Sequence, residues 1–141
     1  KFQVVLLLHV LEHLSNPWEV IKIAKSHLQD DGLLVVGLPN VCNAKTRLAI
    51  FKGNFIYEDI GVMDETHLRF FTYNTAVELI EKTDLEIEDY FSPWRINPFK
   101  AIVEHSTIIH RFKHLMPNNP PRFFSRNLND VVMLFKCKNK L

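Results

Sequence analysis

Three side chains that can bind a metal ion or accept a proton lie close together near the start of the chain. His9, Glu12 and His13 occur in the stretch HVLEH, with i, i+3, i+4 spacing. If this stretch makes one helical turn, all three project to the same side. They follow directly on an apolar run, residues 2–8, so we expect the element formed by that run to deliver the three polar groups at its end.

The same letters also match the H-x-x-E-H pattern of the inverted zinc peptidases. That chemistry needs both histidines on one sustained helix, with the glutamate acting as the base on water held by zinc. In this chain, residues of strand character precede His9. Soon after His13, Pro17 marks the start of a separate predicted helix. The sequence context therefore disfavours a peptidase.

The elements that position these residues begin with the apolar run itself. Residues 2–8 are apolar almost throughout rather than alternating, which predicts a strand buried on both faces, as in parallel sheets covered by helices. A helix is predicted to begin next, because Asn16 is a good cap, Pro17 suits the first helical position and Glu19 can reach back to the cap. Its inner stripe is expected to consist of Ile21, Ala24 and Leu28.

The end of this helix and the next strand complete a repeating unit. The Asp-Asp-Gly stretch at residues 30–32 is predicted to end the helix, and residues 33–38 to form a second buried strand. Strand, helix and strand with short joins predict a parallel, right-handed βαβ unit.

Further elements are predicted along the rest of the chain. Thr72 is expected to cap a helix that runs to about Lys82. Charged residues alternate with apolar ones at residues 85–91, which is typical of an edge strand, whereas residues 131–137 are apolar throughout and predict a central strand. Two more helices are predicted at residues 44–51 and 100–115, with an irregular segment at residues 54–71.

Taken together, these stretches resemble the second half of a class I S-adenosylmethionine-dependent methyltransferase. The fourth strand, following helix and fifth strand of that family are similar to VVLLLHVLEHLSNPWEVIKIAKSHLQDDGLLVVGLPN. Its next block, through the sixth strand, is similar to DETHLRFFTYNTAVELIEKTDLEIEDYF, and its antiparallel seventh strand to VVMLFKCK.

The resemblance implies a fold and a domain organisation. The fold is an α/β, partial Rossmann-like methyltransferase sheet, with strands equivalent to 4-5-7-6, the last strand antiparallel and helices on both faces. Residues 1–141 would be the C-terminal half of one methyltransferase domain, with an inserted substrate-side segment at about residues 92–128.

The resemblance also implies an activity and a cofactor site. The chain would belong to an enzyme that transfers a methyl group from S-adenosylmethionine to an oxygen or nitrogen of a small molecule, with a sugar or glycan precursor as a candidate acceptor. Leu8, His9 and Val10 are expected to bind the cofactor, because ligands of open α/β sheets bind at the carboxyl ends of the strands.

Some similar family members hold a divalent metal on a Glu-x-x-Glu-His segment and a later histidine. By that resemblance His9, Glu12, His13 and His67 would form a metal site, with His13 and His67 as catalytic residues. Three imidazoles and one carboxylate favour a transition metal over magnesium. The alternative is that Glu12 bonds to backbone amides at the turn and that His67 holds a loop.

The chain departs from the family in one large respect. Its four glycines never form the G-x-G turn with which the family cradles the cofactor. We therefore expect residues 1–141 alone to be inactive and to bind the cofactor weakly, with residues 2–8 left as a bare apolar edge. The alternative function is a non-catalytic half-domain that pairs through this edge, with a second copy as its partner.

Composition limits the classes of partner. Lys and Arg (17) nearly balance Asp and Glu (16), and there is no basic stripe, so nucleic acid and anionic membrane surfaces are disfavoured. The apolar opening is too short to span a membrane. The two cysteines form no disulfide framework, which favours the reducing cytoplasm. The expected partner is a small-molecule methyl acceptor.

Overall fold

The computed structural model describes residues 1–94 and 130–140, which form a four-stranded sheet. In chain order the strands are β1 (Phe2–Leu8), β2 (Leu28–Pro39), β3 (Leu85–Phe91) and β4 (Val132–Asn139). The order in the sheet is β1-β2-β4-β3, with β1 and β2 parallel and β4 antiparallel to both of its neighbours. This is the strand order and direction that the family resemblance implied.

Within the described ranges, three α-helices connect the strands: α1 (Pro17–Ser26), α2 (Ala44–Phe51) and α3 (Tyr73–Glu81). The predicted caps are present. The Asn16 side chain accepts a hydrogen bond from the amide of Glu19, and Thr72 and Thr75 form a reciprocal capping box at the start of α3. Each cap satisfies a backbone donor that the first helical turn leaves unpaired.

The prediction for the end of α1 was wrong. The helix ends at Ser26, and Leu28 is the first residue of β2, where its side chain is buried. Residues 30–32 lie inside β2, and the pairing register with β1 shifts between Phe2 and Val4. A Cβ on Gly32 would lie 3.0 Å from the carbonyl oxygen of Phe2, so this glycine permits a close approach of two strands and does not end the helix.

The core lies between one face of the sheet and two helices. Leu34, Val36 and Leu38 of β2 and Met133, Phe135 and Cys137 of β4 point to this face and are fully or nearly fully buried. Ile21 and Ala24 of α1 and Ala76, Leu79 and Ile80 of α3 cover them. Burial of these two apolar helix stripes is what holds α1 and α3 against the sheet.

The prediction that β1 is buried on both faces was wrong for this chain. Val5 and Leu7 pack against the core, but the alternate residues Phe2, Val4, Leu6 and Leu8 are 44–60% exposed. Because successive side chains of a strand point to opposite faces, one face of β1 is covered by the core while the other has no cover. The bare apolar edge that the sequence predicted is present.

The two edges of the sheet differ in charge. β3 carries Glu86, Glu88 and Asp89, and Glu88 pairs with Lys136 of β4 at 2.7 Å. Charged side chains discourage the addition of a further strand, so β3 is the protected edge that its sequence predicted. β1 carries no charged residue between Phe2 and Leu8.

Two predicted features lie outside the described residues. The helix predicted at residues 100–115 is one of them, as is nearly all of the inserted segment predicted at residues 92–128. Among the helices of the described ranges, none has the length and apolar character needed to span a membrane.

The two cysteines should differ sharply in reactivity. Burial raises the pKa of the Cys137 thiol to about 12, and the thiolate is the reactive form, whereas Cys42 is partly exposed. At pH 8, we expect Ellman's reagent to label one thiol rapidly and the second only after denaturation. A Cys42→Ser variant should lose the rapid phase. Equal labelling rates for both thiols in the native protein would contradict the burial of Cys137.

Candidate functional site

The candidate site lies where β1 ends. His9 follows the strand in the left-handed backbone conformation (φ 52°), and its amide donates to the carbonyl oxygen of Gly37 in β2 at 3.1 Å. This conformation is uncommon for residues other than glycine and turns the chain away from the sheet. A single 3₁₀ turn, Leu11–His13, follows and carries Glu12 and His13.

The segment around His67 is held against this turn by backbone hydrogen bonds. The amides of Leu68 and Arg69 both donate to the carbonyl oxygen of Glu12, at 2.9 and 3.0 Å. The Arg69 guanidinium donates to the carbonyl oxygens of Leu14 and Ser15 and lies over the ring of Trp18, 5.0 Å from its centroid. These contacts fix His67 beside a turn that is more than fifty residues away in sequence.

Glu12, His13 and His67 form one cluster. Each of the three offers a ligand atom that lies within 4.8 Å of the ligand atoms of the other two. Ligands at the usual distances from a tetrahedral transition metal stand roughly 3.3 Å apart, so only a small inward movement would be needed to close such a site. His9 is outside this cluster, although its Nδ1 lies 3.3 Å from Oε1 of Glu12.

The carboxylate of Glu12 is the unusual member. The residue is fully buried, and neither carboxylate oxygen has a hydrogen-bond partner within the described ranges; the approach of His9 does not have hydrogen-bond geometry. The predicted alternative, in which the carboxylate bonds to backbone amides, is therefore wrong: the amides go to the backbone carbonyl of Glu12 instead. A buried carboxylate without donors is costly unless a cation satisfies it.

Both histidines of the cluster are oriented through Nδ1. Nδ1 of His67 lies 3.1 Å from the carbonyl oxygen of Val62, and Nδ1 of His13 lies 3.2 Å from the carbonyl oxygen of Thr66. A carbonyl oxygen can only accept, so in the neutral rings Nδ1 carries the hydrogen and Nε2 keeps its lone pair. Each Nε2 is thus left for a metal ion or a proton.

Sequence reasoning missed Asp64 and Thr66, which support this cluster. The Thr66 amide and hydroxyl donate to the Asp64 carboxylate at 2.8 and 2.6 Å, and the hydroxyl oxygen is 3.1 Å from Nδ1 of His13. The hydrogen bond from the Thr66 side chain, with smaller contributions from its amide and the two histidines, holds the pKa of Asp64 below its usual value. The Asp-x-Thr spacing, typical of a local side-chain turn, was the available signal.

A cavity of about 280 Å³ opens onto the cluster. Glu12, His13 and His67 line it together with His9, Asp64 and residues at the ends of β2 and β4. Of the three residues predicted to bind the cofactor, His9 lines this cavity, whereas Leu8 and Val10 do not appear in its described wall and are partly exposed.

The geometry excludes the peptidase alternative. The two histidines of HVLEH do not share a sustained helix: His9 sits in a left-handed conformation at a strand end, and a 3₁₀ turn of three residues carries Glu12 and His13. The zinc-peptidase arrangement cannot be formed from this backbone.

Comparison with known proteins places the fold and site in context. A family model described as a methyltransferase domain matches residues 1–90. The chain belongs to this methyltransferase family. The resemblance to class I S-adenosylmethionine-dependent methyltransferases is thereby confirmed, and the partial Rossmann-like α/β fold agrees with it.

Solved structures of methyltransferases share the fold of this family member. One comes from a Bacillus halodurans protein to which a methyltransferase function has been ascribed, with 13% identity and a TM-score of 0.55. Another is a SAM-dependent methyltransferase from Archaeoglobus fulgidus, with 16% identity and a TM-score of 0.53. The matches cover 100% and 98% of this chain but only 65% and 59% of the two relatives. No curated protein matches the chain.

Proposed function

We propose that this chain is the C-terminal half of an S-adenosylmethionine-dependent methyltransferase domain that methylates an oxygen or nitrogen of a small molecule. Family membership over residues 1–90 supports the activity. The site is supported by one observation: the buried carboxylate of Glu12, which lies beside His13 and His67, has no hydrogen-bond partner among the described residues.

The residues of this cluster fit a divalent transition metal. Glu12, His13 and His67 would hold the ion, with His9 as a fourth ligand if its ring turns from its contact with Glu12. Nitrogen donors and a single carboxylate suit zinc or a neighbouring transition metal better than magnesium. The carbonyl oxygens of Val62 and Thr66 would act as the outer partners that orient the two imidazoles.

The cluster can then supply two chemical functions. When bound, a divalent ion lowers the pKa of an acceptor hydroxyl and makes it a better nucleophile. Without the ion, His13 and His67 present Nε2 lone pairs to the same cavity, so either imidazole can take the proton that the acceptor loses; a ring whose Nε2 holds the ion cannot. The hydrogen bonds from the Leu68 and Arg69 amides to the Glu12 carbonyl oxygen fix the positions of these groups relative to one another. Such positioning is the main contribution that a methyl-transfer site can make.

The cofactor fits this chain only in part. Leu8, His9 and Val10 lie at the carboxyl end of β1, where the switch-point rule places a ligand, and they would form one wall of its site. Gly32 and Gly37 lie within β2, and neither Gly53 nor Gly61 belongs to a G-x-G turn, so our proposal assigns the opposite wall to residues other than those of the described ranges.

Measurement of cofactor binding tests the proposal. We expect residues 1–141 alone to bind labelled S-adenosylmethionine weakly and to transfer no methyl group. A chain extended by the upstream coding sequence should bind it tightly and methylate a hydroxyl or amine acceptor. Turnover by residues 1–141 alone would contradict the half-site, and an extended chain that binds no cofactor would contradict the function.

The finer assignments are also proposals. The family resemblance suggested a sugar or glycan precursor as the acceptor. A panel of sugar and non-sugar acceptors would test that suggestion. We place the reaction in the cytoplasm, supported by two cysteines that are both free.

A second candidate function is favoured by the uncovered face of β1. The chain would then be a non-catalytic half-domain whose partner is a second copy joined through the Phe2–Leu8 edge. An exposed, apolar and uncharged edge strand is a template for such pairing.

Self-association through this edge can be measured by sedimentation. We expect the wild-type chain to form dimers at micromolar concentration and a Leu6→Lys variant to be monomeric, because the new ammonium cannot be buried at an apolar contact. Ile23→Lys is the matched control, since Leu6 and Ile23 are both 57% exposed but Ile23 lies on α1. A wild-type chain that stays monomeric would remove this candidate.

A further inference from the structure

A larger cavity adjoins the cavity of the histidine cluster. Its volume is about 510 Å³, which is in the range of sites for small organic molecules. The two cavities share part of their walls, namely Gly61, Val62, Trp94 and Val131. A molecule seated in the larger cavity can therefore extend a substituent towards Glu12, His13 and His67.

The surface of this cavity is mainly apolar. Helix α2 and the loop after it contribute Ala49, Ile50, Ile56, Val62 and Met63, and Trp94 adds an indole ring. Ile56 and Trp94 are about 70% exposed, at 68% and 71%, although large apolar side chains gain by leaving water. An apolar occupant would cover both of them.

Four of the five polar side chains of the described lining have partners within it; Asn54 is the fifth. Lys45 forms an ion pair with Glu58 at 3.6 Å. The Asn43 amide donates to the Thr46 hydroxyl at 2.9 Å and its oxygen caps α2, so both side chains serve the start of that helix. A free sugar needs many hydrogen bonds to replace those it makes with water, and this lining offers it few polar side chains that do not already have a partner.

We propose that this larger cavity is the acceptor site and that it takes an apolar, ring-bearing hydroxyl compound rather than a free sugar. The inference rests on the proposed function, since it names the acceptor class for the same site. The ring lies among Ile50, Ile56 and Trp94, and the hydroxyl points towards the Glu12–His13–His67 cluster across the shared wall. Burial of the apolar ring thus selects the acceptor, and the hydroxyl orients it in the cavity.

Binding of 2-naphthol to the chain tests this assignment. Calorimetry should show saturable binding, and the indole N–H resonance of Trp94, assigned with a Trp18→Phe variant, should shift during the titration. Methyl β-glucoside, the sugar probe, should produce neither heat nor a shift. Saturable binding of the glucoside, or absence of naphthol binding, would overturn the proposal.

Two variants in the same loop separate the cavity from general surface binding. Ile56 lines the cavity and Ile60 does not, yet both are isoleucines that are well exposed (68% and 80%), so both tolerate lysine. Ile56→Lys should weaken naphthol binding by at least about tenfold, because an ammonium in an apolar cavity loses its hydration. Ile60→Lys should leave it unchanged; equal weakening by the two variants would overturn the assignment.

This measurement uses neither cofactor nor metal, so it is independent of the test of the methyltransferase function. Naphthol binding by an extended chain that binds no cofactor would refute the methyltransferase function and retain the cavity assignment. The reverse result, activity on sugars with no naphthol binding, would refute only the acceptor class.

Discussion

Replacing Glu12 with glutamine should remove most of the stabilisation expected from zinc, while leaving the metal-free chain at least as stable as the wild type. The two effects have one cause. In the wild type a fully buried carboxylate has no donor within the described residues, which is unfavourable without a cation and favourable with one. Glutamine has nearly the same shape but is neutral, so it loses both the cost and the gain.

The expected size of the effect follows from ligand linkage. Zinc at one hundred times its dissociation constant should stabilise the wild-type chain by about 2.7 kcal/mol. Loss of a ligand should raise that constant by about one hundredfold or more, judging from the 10- to 100-fold effect of outer partners alone, so most of the stabilisation disappears. Thermal unfolding with and without zinc, after treatment with a chelator, measures both quantities.

Glu65→Gln provides the matched control for this experiment. Glu65 is an exposed glutamate in the segment that carries His67, and it is not a member of the cluster. Its variant should keep the full response to zinc. If zinc stabilised the Glu12 and Glu65 variants equally, or the wild type not at all, the metal site would be refuted. If the metal-free Glu12→Gln chain were much less stable than the wild type, the claim that the Glu12 carboxylate is buried without a partner would be refuted.

Replacing Phe135 with alanine should cost about 3–5 kcal/mol of the free energy of unfolding. Phe135 is fully buried at the centre of β4, opposite Val36 of β2 and Tyr90 of β3. Its ring centroid lies 5.1 Å from that of Tyr90 and 5.8 Å from that of Tyr73 of α3. Removal of the ring therefore leaves a cavity where three strands and a helix meet, and a loss of this size can unfold a domain of ordinary stability.

Urea unfolding of Phe135→Ala and Phe91→Ala variants measures this effect against a matched control. Phe91 is the last residue of edge strand β3 and is 54% exposed, so its loss should change the free energy of unfolding by less than about 1 kcal/mol. If Phe135→Ala cost no more than Phe91→Ala, the core described between the sheet and α3 would be wrong.

Most of the fold could be predicted because its signals are local. The Phe2–Leu8 and Leu85–Phe91 strands were predicted within their observed bounds, as was the cap at Thr72, since apolar runs and capping residues act over a few positions. The end of α1 was missed because Leu28 is apolar enough for either element and because Gly32, a common helix terminator, here serves a close contact between strands. That contact depends on Phe2, which no local pattern connects to Gly32.

For the candidate site, the residues that form it could be predicted, but their arrangement could not. The spacing of His9, Glu12 and His13 indicated a cluster, and the family resemblance added His67. The sequence could not show that His9 stands apart in a left-handed conformation, or that the Glu12 carboxylate is left without donors. Both involve contacts between residues far apart in sequence: the His9 amide is bonded to Gly37 of β2, and the Leu68 and Arg69 amides are bonded to the backbone carbonyl of Glu12.

The unequal edges of the sheet set a limit on the size of any assembly. A filament requires two sheet edges on each molecule that can pair, because every added subunit must leave one edge open for the next subunit. In the described sheet, Glu86, Glu88 and Asp89 disfavour pairing at the β3 edge. Only the other edge strand, β1, is free to pair with a further strand. Pairing through these strands would therefore stop at a closed pair with twofold symmetry.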